Sequence, residues 1–378
     1  MHVRPRVVLA GAAALTMGAS LTGIASSATS AGAAANPAKA TSAAAFGGLS
    51  GLVKAAKKEG TLNVITLPNN WANYGNIIKD FTKKYGIKIV SENPEGSSQD
   101  EINAVNTLKG QSRAPDVLDL GTSFAINAAK SGLLAPYKVQ SWASIPSTAK
   151  ATNADWWDDY GGYVAIGYDP AKVKVAPTSF KDLLKPIYKG QVAINGNPTE
   201  ASAAFSAVYA ASLANGGSLS NIQPGINYFG QLAKEGNFVP VQAGPATVES
   251  GQTPIVVWWD YLQASEISSQ VPGWKIVIPT DGHYAAYYSQ AISATAPHPA
   301  AARLWEEYLY SVTGQNLWLQ GAARPIELAT LVKNGSVNKK AYNALPAAPK
   351  GSVTFPTLAQ LTAAQTLVTQ NWATATGG

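Results

Sequence analysis

The sequence predicts an α/β protein built in two halves, and three observations carry that reading. Apolar segments of strand length alternate with amphipathic segments of helix length. The alternation breaks at an aromatic, turn-rich stretch near Ser141 and resumes from Pro177. With 378 residues, 46% hydrophobic and 13% charged, the chain can bury more than one domain-sized core.

The elements follow in order. MHVRPR carries Arg4 and Arg6, then VVLAGAAALTMGASLTGIA is apolar and small, and the next stretch offers A-x-A sites such as Ala33 to Ala35. This is the pattern of a secretory signal peptide over residues 1–35. Leu52, Val53 and Ala56 then have helical spacing, closed by KKEG with Gly60 as the stop, before the strand TLNVITLP. The segment NWANYGNIIKDFTKKYG puts Trp71, Tyr74, Ile77 or Ile78, Phe81 and Tyr85 on one stripe and ends at Gly86, ahead of the strand IKIVSEN. Ile102, Val105 and Leu108 mark a further helix, PDVLDLG a third strand and TSFAINAAKSG a third helix. Short turns between such units predict a parallel sheet with helices on both faces.

YVAIGY, after the aromatic stretch, reads as a strand crossing between the halves. SFKDLL, QVAING, the Ala-rich helix from Pro198, INYFGQLAKEG, PATVESGQ, PIVVWWDY and WKIVIPTDG restore the α/β rhythm. The segment from Tyr284 to Pro297 reads as a second crossover strand, followed by one or two amphipathic helices. Residues 323–378 are turn-rich and Ala-rich, and no element is assigned there.

Composition excludes several chemistries. With no cysteine there are no disulfides, thiolate metal sites or cysteine nucleophiles, and LTGI has Ile24 where lipid attachment would need Cys. Loss of Arg4 and Arg6 with the leader leaves 26 basic against 22 acidic residues. These are scattered as surface Lys pairs, not as a nucleic-acid stripe. Neither G-x-S-x-G nor H-E-x-x-H occurs, and the histidines are only His2, His283 and His298, so a secreted hydrolase has little support. A surface adhesin would need repeats or an anchor, and neither is visible.

Four stretches in order carry a resemblance: KKEGTLNVIT, RAPDVLDLGTSFAINAAKSGLLAPY, PTSFKDLLKPIYKGQVAI and ATAPHPAAARLWEEYLYSVTGQ. Together they resemble the extracellular solute-binding proteins of ABC importers, in the branch that holds polyamine, ferric iron, thiamine and phosphonate receptors. The resemblance implies a two-lobed periplasmic-binding-protein-like α/β fold with hinge crossovers. It places 41–165 with 285–378 in lobe 1 and 166–284 in lobe 2. It implies a binding receptor and no enzyme: a soluble monomer without cofactor, periplasmic or extracellular, whose partners are a small solute and an ABC permease with its ATPase, not nucleic acid.

In open α/β sheets ligands bind beyond the carboxyl ends of strands. The candidates there are Asn70 and Trp71, Thr122 and Ser123, Trp156 and Tyr160, Thr199, Trp258 and Asp260, Tyr284, and Arg324. Aromatic rings beside carboxylates suit an organic cation, through the ring quadrupole and charged hydrogen bonds. Strand alternation puts Trp258 and Asp260 on one side and Trp259 on the other, and Trp258-x-Asp260 resembles the amine-holding element of polyamine receptors. The alternative packs both tryptophans in the core and makes Asp260 a helix cap. A solvated hinge loop or a cleft wall are the two options for Trp156 to Asp159. Ferric iron would use Tyr287, Tyr288 and His283, and a phosphonate or sugar phosphate would use Thr199, the helix start at Pro198 and Arg324.

Overall fold

The computed structural model describes residues 36–346, 348–349 and 355–377. The signal peptide expected over residues 1–35 therefore lies outside the described residues. Among those described, no helix is long and apolar enough to cross a membrane.

Strands β1 (Thr61–Ile65) and β2 (Lys88–Glu92) pair in parallel. The larger sheet runs β3 (Val117–Gly121), β10 (Ala285–Ser293), β5 (Trp157–Tyr168), β8 (Ile255–Trp259), β6 (Val192–Ile194), β7 (Phe238–Gln242). Short strands β4 (Leu134–Ala135), β9 (Lys275–Val277) and β11 (Arg324–Pro325) pair with β10, β5 and β5. The parallel sheet read from the sequence is thus a mixed one. Pairs β10–β3, β10–β5 and β5–β8 are antiparallel, because the crossover strands run against their neighbours.

Both crossovers lie where the sequence puts them. The first half of β5 pairs with β10, from Trp157↔Gln290 to Tyr163↔Ala285, and the second half pairs with β8, from Val164↔Trp259 to Tyr168↔Ile255. One strand therefore belongs to two lobes. At the junction, a Cβ on Gly161 would collide with the carbonyl oxygen of Ala286, and one on Gly162 with Asp260 and Tyr261.

The helices obey the signals that predict them. Helix Leu49–Glu59 ends at Gly60 with φ 73°, a conformation that costs glycine little, and carries Lys57 and Lys58 in its last turn. The chain's return closes the first lobe: helix Pro299–Leu309 packs on Leu49–Glu59, and the Glu59 carboxylate accepts from the Ala300 and Ala301 amides at its N-terminus. Buried Arg303 donates to the carbonyls of Ala38, Ala40 and Pro299, pinning the N-terminal segment.

Two elements escape the sequence pattern. Strand β7 contains Pro240, which argues against a strand in general but is tolerated at an edge, where β7 lies. The final helix, Leu358–Thr376, is rich in Ala, Thr and Gln and shows little apolar periodicity. Although the resemblance groups it with the first lobe, it packs mainly against helix Gln223–Glu235 of the second.

Gly161→Ala forces β5 and β10 apart at their crossing. The expected loss is about 3 kcal/mol of unfolding free energy, to be read as a lowered urea midpoint; an unchanged midpoint would show that the crossing can relax.

Candidate functional site

A cleft of about 480 Å³ opens between the lobes, a volume suited to a small molecule. It gathers the chain beyond strand ends, as the sheet rule expects: Asn70 and Trp71 after β1, Glu95 after β2, Glu200 after β6, and Trp258 in β8. Thr66, a β-branched residue held at φ 52°, lines it too, a strained conformation of the kind concentrated at functional sites.

The wall is aromatic. Trp71 stands edge-on to Tyr288, with ring centroids 5.7 Å apart, and lies 6.0 Å from Trp258. Beneath them Tyr160 stacks on Tyr288 at 5.7 Å. The Trp71 indole donates to the Tyr160 hydroxyl at 2.7 Å, which in turn donates to Asp119 Oδ2 at 2.7 Å. Asp119 Oδ1 is left without a partner.

Six acids, Glu95, Asp100, Glu101, Asp119, Glu200 and Glu266, line the cleft, and among the described residues no Lys, Arg or His does. Glu266 Oε2 accepts from Asn70 Nδ2 at 3.2 Å, linking the lobes, while Oε1 is unpartnered. Asp119 is 5% exposed and Glu266 4%, so both carboxyls have lost most of their water. Burial pushes the Asp119 carboxyl up to about 7. Glu266 is pushed up to about 8 by burial and then by the nearby charge of Glu95. Glu101 is raised well above the carboxylate range by burial and then by Asp119. Such a site lacks a positive charge. Among the described residues no group of three or more His, Cys, Asp and Glu is arranged to hold a metal ion.

Of the residues predicted from sequence, Asn70, Trp71 and Trp258 line the cleft, and Trp259 is buried outside its lining. Tyr160 supports Trp71 from behind. Asp260 requires a correction: β8 ends at Trp259, Asp260 opens a helical turn, and alternation stops with the extended backbone. Its Oδ1 accepts from the Tyr163 amide, and Oδ2 is paired with Arg324 at 2.8 Å. Arg324 is therefore no cleft clamp. Its guanidinium lies over the Tyr163 ring at 4.7 Å and donates to the Pro346 carbonyl.

The others also lie outside the cleft lining. Thr122 bonds to Asp158 and to the Tyr287 carbonyl, and Ser123 to Gln365. Trp156 is core, and Tyr284 stacks on Tyr209 at 4.9 Å. Thr199 stands beside the lining, its amide held by Asn197. Neither option for Trp157 to Asp159 holds: they form buried β5, Asp158 accepting from Ser289 and Asp159 from Gln290. Of the tandem tyrosines only Tyr288 lines the cleft, Tyr287 facing Phe355, and His283 is exposed. Sequence reasoning misses Asp119, Glu101 and Glu266, and names Tyr288 only as an iron ligand. The one available signal was Asp119 inside the apolar run PDVLDLG, since a polar group in a buried strand needs a reason.

Arg324→Leu strands a buried carboxylate. It should cost about 3 kcal/mol in urea denaturation while leaving solute affinity almost unchanged; a large affinity loss at full stability would return Arg324 to the cleft.

Solved structures with this fold include periplasmic binding proteins. A periplasmic binding protein AfuA from Actinobacillus pleuropneumoniae, solved with fructose-6-phosphate, aligns with a TM-score of 0.67 at 18% identity over 84% of this chain and 99% of that one. Iron-bound HitA from Pseudomonas aeruginosa aligns at 0.60 and 20% identity over 83% and 99%. A putative spermidine/putrescine ABC transporter protein from Listeria monocytogenes aligns at 0.58 and 14% over 82% and 98%. A comparison with curated proteins gives no match. The family described as bacterial extracellular solute-binding protein matches residues 112–348, more than half of the chain. The chain accordingly belongs to the bacterial extracellular solute-binding protein family and is a two-lobed solute receptor, not an enzyme.

Proposed function

We propose that the protein captures a small organic cation of polyamine type between its lobes and delivers it to an ABC permease driven by a separate ATPase. It does so as a soluble monomer exported by its leader. The observation that carries the reading is the sign of the cleft: six carboxyls, no basic side chain among the described residues, and two buried carboxylate oxygens without partners. An ammonium group would satisfy Asp119 Oδ1 and Glu266 Oε1 by charge-assisted hydrogen bonds. Trp71, Trp258 and Tyr288 would supply the aromatic surface for its methylenes and charge.

One observation favours a second reading. Helix Ser202–Ala214 begins at the cleft without a side-chain cap, so its first amides could receive a phosphate or carboxylate, as in a sugar phosphate. The missing basic residues weigh against it. Titrating spermidine, putrescine, fructose-6-phosphate and ferric citrate while following tryptophan fluorescence separates the readings. The amines are expected to quench or enhance emission saturably. A response to the phosphate or the iron salt alone would defeat the cation.

Two predictions follow from the carboxyls. Asp119→Asn and Glu266→Gln should each weaken amine binding about tenfold or more, roughly 1.4 kcal/mol, with melting temperature held or raised, since each removes a buried charge. Because both groups have raised pKa values, about 7 and about 8, a cation must displace their protons. Affinity should therefore be fully developed only about a unit above pH 8 and fall as pH drops through 8 and then 7, by up to about tenfold per unit for each group. Calorimetry in buffers of different ionisation enthalpy should register proton release near pH 7; no release would mean the two groups are already ionised.

A further inference from the structure

The final helix, Leu358–Thr376, touches both lobes and takes no part in lining the cleft. Its hold on the second lobe combines apolar packing with a hydrogen bond from Gln360 Nε2 to Ser220 Oγ at 2.8 Å. Trp372 packs 5.3 Å from Phe229 and 6.2 Å from Phe238, and Gly230 admits the helix so closely that a Cβ there would lie 2.8 Å from the Ala375 carbonyl oxygen.

Its contact with the first lobe is smaller, and its hydrogen bonds there are longer. Ser123 Oγ donates to Gln365 Oε1 at 3.3 Å, and Lys130 Nζ approaches Thr362 Oγ1 at 3.5 Å, both from helix Thr122–Lys130. The other end of the buried Gln365 amide donates to the carbonyls of Pro198 and Thr199 at 3.5 and 3.4 Å. Those carbonyls belong to the second-lobe loop that continues into the cleft-lining residues Ala201 to Ala203. One side chain thus joins the start of a first-lobe helix to the loop of the second lobe.

The lobes also meet next to it. A Cβ on Gly121, two residues before Ser123, would collide with the Ser202 side chain, and the Gln99 amide donates to the Glu200 carbonyl at 3.3 Å. Opening about β5 and β10 has to part these surfaces. The helix has more contact with the second lobe than with the first, and its hydrogen bonds to the first, at 3.3 and 3.5 Å, are the ones such an opening would stretch.

We infer that the C-terminal helix is an interlobe strap that rides on the second lobe and stabilises the closed arrangement through Gln365, a positioning residue for closure. The inference is independent of which solute the cleft takes.

The chain has no cysteine, so Lys109→Cys on the first lobe and Glu249→Cys on the second, both at exposed positions, give a uniquely labelled pair for single-molecule energy transfer. The measurement is made on the full chain without any solute, which keeps its failure distinct from failure of the cation reading. Gln365→Ala is expected to raise the ratio of long-distance to short-distance molecules about fivefold, the effect of losing one buried hydrogen-bonded group. Ser123→Ala removes the contact from the first-lobe side while leaving the helix untouched, and should shift the ratio in the same direction. Unchanged distances in both variants would overturn the strap, even if the melting temperature fell, because a brace confined to one lobe lowers stability without moving the lobes.

Discussion

Everything in this molecule is placed relative to one strand that two lobes must share. β5 is hydrogen-bonded to β10 and β11 along its first half and to β8 and β9 along its second, so neither lobe has a complete sheet without it. Gly161 and Gly162 sit where the partners change, and the close approach there leaves no room for side chains. Tyr160, one residue earlier, carries the Trp71 wall on one side and the Asp119 carboxylate on the other. The cleft chemistry is therefore hung from the same point about which the lobes turn. Geometry at the hinge and geometry at the site cannot vary independently.

The cleft tolerates an electrostatic arrangement that folding alone would not favour. Carboxyls with little water and no basic neighbour are held partly neutral by the rise in their pKa values, and unpartnered acceptors remain where protein donors could have been supplied. The chain as a whole is mildly basic, with a net charge of +6, so the acidic cleft is a local feature set against the sign of the whole. The contrast concentrates negative potential at the cleft.

How much of this was legible follows from which forces write themselves into local sequence. Helix stripes ending at glycines, and strands after them, are local signals, and the order of strands and both crossovers could be read from them. A strand with proline at its centre and a helix of Ala, Thr and Gln could not, because β7 is rescued by its edge position and the last helix by Phe229, Phe238 and Gly230 of a distant partner. At the site, Asn70 and Trp71 in the segment after β1 and Trp258 near the end of β8 were legible. Alternation failed at Asp260 because the strand stopped one residue earlier, a boundary within the ordinary uncertainty of pattern reading. Glu266 was invisible for a different reason. It reaches the cleft from a π-helical turn, Gln263–Ile267, whose register no simple periodicity describes.

The shared strand also governs how the protein comes to be folded. Asp158 and Asp159 meet their partners Ser289 and Gln290 across 131 residues of chain, and Glu59 meets Ala300 across 241. Contacts so remote in sequence are slow to find, and the first lobe has neither its central strand nor its closing helix until the segment after Tyr284 is present. Synthesis from the amino end therefore leaves the early β1 to β4 elements without a finished lobe through most of the chain's production. The second lobe's strands, β5 to β9, are all made before β10, so the lobe that begins the chain is the last to be completed.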